Sequence, residues 1–259
     1  MEADTLAVDF SKGKVWKNIV TQSVPLILAQ FVQLLYNVVD RVYIGHLNDT
    51  DSMALTGIGL TFPVITLIAA FTNLFGMGGA PLFSIERGRQ DEAKAAKIMG
   101  NVFSLLLVSS VILFLISYLF RRPILYLFGA SDASYPYADA YLRIYLLGTA
   151  FSMLGTGMNG FINAQGFPKT GMLTTVIGAV LNLILDPVFI FVLNLGVRGA
   201  AAATVISQAV SAIWVICFLT GTGRKSAKAS IRLQTEMMKP DLKVIKNITG
   251  LGLSGFIMQ

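Results

Sequence analysis

A carboxylate and an amide four residues apart lie in the middle of a long apolar stretch of this sequence. Asp186 is the only charged residue between Lys169 and Arg198, and Asn182 precedes it by one helical turn. The stretch is long enough to cross a bilayer, and an acid in hydrocarbon is usually paired, turned inward and functional because its charge is costly there. Pro187 should kink or break the helix. We therefore predict a switchable polar site, the alternative being that Asp186 only caps a half-helix begun by Pro187.

A second acid, Asp40, ends a polar stripe on an earlier apolar segment. Gln30, Gln33, Asn37 and Asp40 follow one another at spacings of 3, 4 and 3 residues, which places them on one helical face within an arc of about 80°. Asp40 could face inward and join the first acid, or it could form an interfacial ion pair with the adjacent Arg41. The pattern alone leaves both interpretations open.

Further polar residues recur on single faces of other apolar segments. They are Thr156, Asn159 and Asn163 in one segment, and Thr204, Ser207, Gln208 and Ser211 in another. Such residues often only join helices, each hydrogen bond contributing about 0.6 kcal/mol. Several stripes combined with two carboxylates instead predict a shared aqueous cavity. We expect its lining to include Gln30, Gln33, Asn37, Asn159, Asn163, Thr204 and Gln208.

The composition is that of an integral membrane protein. Of 259 residues, 54% are hydrophobic and 13% are charged, whereas soluble domains carry about 25% charge. Charged residues separate six apolar runs, at 18–39, 52–85, 98–120, 144–168, 170–197 and 199–223. Each run is long enough for a transmembrane helix and too long for a barrel strand. The sequence thus predicts an all-α, polytopic bundle of six helices, with a second helix long enough to be tilted or bent.

The residue inventory excludes most enzyme chemistry. His46 is the only histidine and lies near a predicted loop, and Cys217 is the only cysteine, so we expect no Ser/His/Asp set and no cysteine-based metal site. The sequence also lacks a GxxxxGK[ST] phosphate loop and an HExxH motif. We expect a protein that is not an enzyme and uses no cofactor or structural metal.

Basic residues orient the predicted bundle. Fifteen of the 20 lysines and arginines fall before the first run, after the second, after the fourth and within 224–246. Because such residues mark the cytoplasmic side, we predict a multi-pass cell-membrane protein with a cytoplasmic N-terminus. The basic loops account for the net charge of +6 without a nucleic-acid partner. The 224–246 segment is interpreted as an inner loop, although it could alternatively bind anionic lipid.

The end of the chain repeats its beginning. KNITGLGLSGFIMQ at 246–259 aligns with KNIVTQSVPLILAQ at 17–30, and both follow a basic stretch and open an apolar run. Transporters are often built from such repeats. We therefore predict a six-helix lobe at 1–223, an inter-lobe loop at 224–246 and the truncated start of a seventh helix at 247–259. A C-terminal lobe of the same protein would be its partner.

Several stretches resemble the multidrug and toxic compound extrusion (MATE) family. They are VPLILAQFVQLLYNVVDRVYIGHL (24–47), ERGRQDEAKAA (86–96), MNGFINAQGFPKTGM (158–172), NLILDPVFIF (182–191) and GVRGAAAATVISQ (196–208). The resemblance implies two six-helix lobes that face each other in a V. It also implies antiport, in which protons or sodium ions drive the export of small organic cations across the bilayer.

The resemblance also implies site roles. An acid late in helix 1 and an Asn/Asp pair in helix 5 form the family's first-lobe cation site, and they match Asp40, Asn182 and Asp186. Sodium could bind there in place of a proton. Polar residues of helices 4 and 6 assist, which points to Asn159, Asn163 and Thr204.

Two other functions remain open at this stage. Lipid-linked oligosaccharide flippases share the architecture, but they would favour cationic residues in the cavity for a pyrophosphate. The embedded charges here are Asp40 and Asp186, which favours an exporter. The other alternative is a non-transporting membrane subunit.

Overall fold

The fold is an all-helical bundle. The computed structural model describes residues 14–45, 52–222 and 230–259, and within these ranges it contains helices and no strand. The α-helices are α1 (Val15–Gly45), α2 (Ser52–Gly59), α3 (Phe62–Gly88), α4 (Glu92–Leu119), α5 (Arg121–Leu127), α6 (Tyr135–Leu147), α7 (Thr149–Ala164), α8 (Pro168–Pro187), α9 (Val197–Thr220) and α10 (Leu242–Ile257). A π-helical turn at Val188–Val192 extends α8, and a 3-10 turn covers Thr235–Met238. The predicted all-α class is confirmed.

Five helical segments of the described chain are long and apolar enough to cross a membrane. They are Val15–Asp40, Met53–Gly88, Glu92–Leu119, Pro168–Val192 and Val197–Thr220. These segments correspond to five of the six predicted crossings, and the chain is a multi-pass membrane protein. The second segment is bent, as its length suggested, because α2 ends at Gly59 and α3 begins at Phe62.

The predicted fourth crossing differs from its expected form. The sequence predicts one helix over 144–168, whereas the structure has two helices, α6 and α7, separated at Gly148. Two charged residues lie inside the first of them. There Asp139 accepts hydrogen bonds from Arg143 at 2.6 Å and from Arg121 at 2.7 Å. Because these ion pairs compensate the charges of Asp139 and Arg143, α6 begins well before the apolar run.

The bundle has two packing centres. Helix α3 packs against α4, α7 and α10, and α8 packs against α1 and α9. Phe83 and Phe161 meet edge to face in the core between α3 and α7, and both are fully buried. Gly76 and Gly157 let α3 and α7 approach so closely that a Cβ on Gly76 would lie 3.0 Å from the Gly157 Cα atom.

One end of the bundle, here termed the basic end, gathers the end of α3, the start of α4, the α7–α8 turn and the segment before α10. Arg87 donates to the Ala164 carbonyl at 2.7 Å, and Lys97 pairs with Asp241 at 2.5 Å. Gln165 accepts from the Ile231 N–H at 3.1 Å. Residues 230–241 are therefore attached to the helices along this end.

Helix α10 begins earlier than the apolar pattern suggested. The sequence places the start of the seventh helix at 247, whereas α10 begins at Leu242. Asp241 caps it by accepting from the backbone N–H groups of Lys243 and Val244. The charged turn before the apolar run is thus helical because a cap stabilises it. The division into lobe, loop and seventh helix stays a prediction.

Candidate cation site

Two carboxyl groups meet where α1 packs against α8. The side chains of Asp40 and Asp186 lie within hydrogen-bonding reach of each other, and Asp186 is 1% exposed. Two ionised carboxylates at this distance would repel each other, so the pair favours a proton or a cation between its oxygens. The structure thus brings together the two acids that the sequence singled out, and it places Asp40 inward.

Asn182 orients Asp186 from one turn earlier on the same helix. Its side chain lies beside Asp186, and its Nδ2 donates to Thr204 Oγ1 on α9 at 3.4 Å. Thr204 in turn donates to the Ala200 carbonyl at 2.9 Å. Asn182 and Thr204 are both buried. The predicted spacing therefore links the acid pair to α9 through one amide.

Asp186 does not cap a half-helix, which was the alternative to a functional role. It lies inside α8, and the residue that precedes the π-helical turn is Pro187, with no side-chain capping bond. Pro187 lacks an N–H and clashes with the preceding turn, so the regular α-helical hydrogen bonding ends there. The predicted kink or break at the proline corresponds to this change from α-helical to π-helical hydrogen bonding, and the chain stays helical through Val192.

The structure adds three tyrosines to the site. The hydroxyls of Tyr36 and Tyr141 lie close to Thr204, and the hydroxyl of Tyr145 lies close to Gln208 and Ser152. Tyr141 and Tyr145 are buried, and Tyr36 is half-buried. Sequence reasoning missed them, although Tyr36 precedes Asp40 by four residues and two of the tyrosines share that spacing on α6. Tyr141 was missed because Arg143 ended the apolar run.

The predicted cavity residues divide into two groups. Thr204 and Gln208 reach the tyrosine side of the site. Gln30 is exposed and Gln33 is half-buried, while the side chain of Asn37 lies outside the described residues.

Asn159 and Asn163 lie elsewhere, at the α7–α8 contact near the basic end. Asn159 donates to the Gly171 carbonyl at 3.1 Å, and a Cβ on Gly171 would meet the Asn163 side chain. Gly171 precedes Asp186 by 15 residues, or about 22 Å along the helix axis. These two asparagines join helices in the described structure, and their exposure to a cavity stays a prediction.

Oxygen atoms at the site suit a monovalent cation. Within the described part of the chain, no hydrogen-bond donor reaches Asn182 Oδ1 or Asp186 Oδ1. Carboxylate and amide oxygens are the ligands that hard cations take. The residues at this position therefore fit either a proton shared by the acids or a sodium ion held by the acids and Asn182.

These features define an integral membrane helix bundle with an acid pair between two of its helices, beside a change from α-helix to π-helix, as in secondary transporters. The family model described as MatE matches residues 25–188, and the chain belongs to this family. The predicted resemblance is confirmed.

Curated relatives and solved structures agree with this assignment. The chain is 30% identical over 250 residues to the multidrug export protein MepA of Staphylococcus saprophyticus and 29% identical over 249 residues to that of Staphylococcus haemolyticus. Each alignment covers 96% of this chain and 54% of the relative.

The fold also matches solved structures. A MATE structure in complex with MaD5 has a TM-score of 0.88 at 27% identity, over 97% of this chain and 56% of that one. A MOP superfamily transporter from Pyrococcus furiosus has a TM-score of 0.80 at 28% identity, over 93% and 52%. The chain thus spans about half the length of the relatives it matches, consistent with one lobe.

Proposed function

We propose that this chain is the first lobe of a secondary active multidrug exporter. It would exchange small organic compounds, often cationic, for protons or sodium ions by alternating access. The close pair of the half-buried Asp40 and the buried Asp186 carries this proposal. The multidrug export relatives support the substrate class.

The acid pair supplies a physical basis for exchange. When a proton or sodium ion binds between the carboxyl groups, the site loses negative charge and its hold on a cationic compound weakens. When that ion leaves, the two carboxylates again attract a cation. Coupling follows if ion and substrate favour different conformations of the protein. The break at Pro187 beside the acids gives α8 a point at which it can change shape.

We also propose an orientation and partners. The basic end faces the cytoplasm, because lysine and arginine are retained on that side, and the N-terminus lies there too. The protein resides in the cell membrane and works with a second, C-terminal lobe, since transporter sites of this kind lie between repeats. "Intact transporter" below means this lobe together with that second lobe.

The charges at the site favour an exporter of cations over a lipid-linked oligosaccharide flippase. A pyrophosphate ligand needs cationic side chains, whereas the charged groups that the structure places at the centre are two carboxyls. The relative from Pyrococcus furiosus was described as having a binding pocket of reverse polarity, suggesting a different function. Site charge is therefore a reasonable basis for separating functions within this superfamily.

The test is ion-driven transport by the intact transporter in vesicles. A cationic dye should be exported when a proton or sodium gradient is imposed, and Asp186→Asn should remove the dependence on the gradient while the protein still inserts. Asp132→Asn is the control, because that acid bonds Tyr126 on the surface, away from the pair. Wild-type transport that ignores both gradients would reject the antiport proposal, and no transport under any condition would favour the non-transporting subunit.

A further inference from the structure

A line of polar side chains runs along the contact between α8 and α9, from the acid pair towards the basic end. We call it the α8–α9 seam, and it comprises Thr174, Asn182, Thr204, Ser207 and Ser211. Four of these residues are 5% exposed or less. Residues 204, 207 and 211 are spaced by 3 and 4, so they share one face of α9.

Contacts connect the two sides of the seam at both ends. Near the acids, Asn182 donates to Thr204 at 3.4 Å. Towards the basic end, the Ser211 hydroxyl donates to the Thr174 carbonyl at 3.2 Å. Between these points Gly178 keeps the helices close, since a Cβ there would lie 2.5 Å from Ser211 Oγ. The polar groups therefore face each other across one continuous contact.

The seam is long enough to matter for ion movement. Thr174 and Asp186 are 12 residues apart on α8, or about 18 Å along its axis, which is more than half of a hydrocarbon core of about 30 Å. The Thr174 hydroxyl donates to the Thr170 carbonyl at 3.3 Å, next to Lys169 at the basic end. The line thus leads from the buried acids to the edge of the bundle.

Ser207 distinguishes the seam from ordinary helix packing. Its side chain is 3% exposed, and its hydroxyl has no hydrogen-bond partner among the described residues. Leaving a buried hydroxyl unpaired costs free energy, so residues that only join helices are normally paired. The equally buried Ser110 shows the usual arrangement, because it donates to the Leu107 carbonyl of its own helix at 2.7 Å.

We propose that the α8–α9 seam is the path by which a proton leaves the Asp40–Asp186 pair for the basic end. The inference rests on the proposed function, with the proton as the coupling ion. Hydroxyls one helical turn apart, about 5–6 Å between Cβ atoms, can be bridged by single water molecules. The path would therefore alternate serine or threonine hydroxyls with water.

Each proton transfer conserves atoms and charge. The O–H bond of the protonated carboxyl breaks, its proton binds a water or hydroxyl oxygen, and that oxygen releases one of its own protons to the next. A carboxylate remains at the acid pair, and the last proton passes to bulk water as hydronium. Tyr36 from α1 and Tyr141 and Tyr145 from α6 are the titratable groups that face the acid end, and Lys169 lies beside the other end.

The test measures proton release separately from substrate binding. The intact transporter is reconstituted in vesicles containing a pH-sensitive dye, and proton flux is recorded when a cationic substrate is added. Ser207→Ala should reduce that flux about tenfold or more, since it removes the hydroxyl between the two ends of the seam. The melting temperature should be equal to or higher than that of the wild type, because the change removes a buried hydroxyl that is unpaired within the described residues, and substrate affinity should be unchanged.

Companion variants sharpen the result. Ser207→Thr keeps a hydroxyl and should restore the flux, and Ser110→Ala, at a buried serine on α4, should leave it unchanged. If the double variant Ser207→Ala/Thr174→Val keeps the wild-type proton flux, the proposal that the seam is the proton path is wrong. A wild-type protein that moves sodium and no protons would also contradict it, as would a loss of flux that Ser110→Ala reproduces. If the seam variants behave like the wild type but Asp186→Asn abolishes coupled transport, only the proton path is wrong and the proposed exporter function is kept. Normal coupling in Asp186→Asn would reject the proton path and the exporter function together.

Discussion

The carboxyl groups of Asp40 on α1 and Asp186 on α8 lie within hydrogen-bonding reach of each other inside the bundle. They are 146 positions apart in the sequence (186 − 40), so only the packing of α1 against α8 creates the pair. Around it, Asn182, Thr204 and Tyr36 supply polar partners from three helices. The charge on the two carboxyl groups therefore depends on how the three helices pack. An ion-coupled carrier requires such a dependence, because ion binding must favour one conformation over another.

The first prediction concerns the amide that orients Asp186. Asn182→Ala should slow ion-driven export roughly fivefold while keeping its dependence on the gradient, because one hydrogen bond contributes about 1 kcal/mol and the proton-binding carboxyls remain. Initial rates of dye export at several imposed gradients would measure this. An uncoupled Asn182→Ala protein would contradict an orienting role and make the amide a direct ion ligand.

The tyrosine hydroxyls should contribute to the site. Tyr141→Phe keeps the ring and removes the hydroxyl that lies close to Thr204, so the ion concentration needed for half-maximal export should shift by a few-fold or more. Tyr126→Phe is the matched control, since that hydroxyl bonds Asp132 at 2.8 Å outside the apolar core. Equal responses of the two variants would remove Tyr141 from the site.

Helix α10 should depend on one glycine for its contact with α3. A Cβ on Gly252 would collide with the Leu74 carbonyl, whereas nothing lies within 4 Å of a Cβ on Gly250. Gly252→Ala should therefore lower the melting temperature clearly. Gly250→Ala should be neutral or stabilising, by at most about 1 kcal/mol.

Cross-linking gives a second view of the same contact. Asn73 donates to Gln259 at 2.7 Å, so cysteines at these two positions should be joined by a short bifunctional thiol reagent in the otherwise unchanged protein. The cross-link should be lost in Gly252→Ala and kept in Gly250→Ala. Efficient cross-linking in both would show that α10 tolerates the added methyl group.

The ion pair at the start of α10 should give a pH-dependent contribution to stability. The hydrogen bond from Lys97, aided by the Lys243 backbone N–H, holds the pKa of Asp241 below its usual value. A carboxyl with a lowered pKa stabilises the folded protein above its unfolded pKa, and this stabilisation is lost as the pH falls through the folded value.

Asp241→Asn isolates that charge, because asparagine caps a helix about as well as aspartate. The wild-type melting temperature should exceed that of the variant at pH 7, and the gap should close as the pH falls below about 4. Added salt should also narrow it, since Lys97 and Asp241 are partly exposed. If the difference in melting temperature between the wild type and Asp241→Asn stays the same from pH 7 to pH 3, it arises from helix capping alone and not from the ion pair.

The sequence predicted the parts of this protein that local chemistry determines. Apolar runs between charges gave the long helices, the proline gave the break after Asp186, and the cost of a buried charge identified the acids. The sequence did not predict that α6 and α7 are separated at Gly148. At that position Val205 and Gln208 of α9 occupy the space that a Cβ on residue 148 would need.

Two further features depend on tertiary packing and escaped the sequence for that reason. Asp139 and Arg143 lie inside α6 because Arg121 of a separate helix completes their ion pair. The role of Tyr141 is visible only once Thr204 lies beside it. The opposite case is a pair of residues that the sequence assigned to the cavity. The spacing of Asn159 and Asn163 matched a polar stripe, yet both contact the start of α8.

The most direct test of the acid pair is a double-mutant cycle on coupled export. Asp40→Asn and Asp186→Asn should each reduce gradient-driven export roughly 100-fold or more in the intact transporter, with normal insertion and melting temperature. The double variant should be no more than about twofold worse than either single variant, because residues that act as one unit are not additive. Two losses that multiply in the double variant, or wild-type coupling in either single variant, would contradict a single shared site at Asp40 and Asp186.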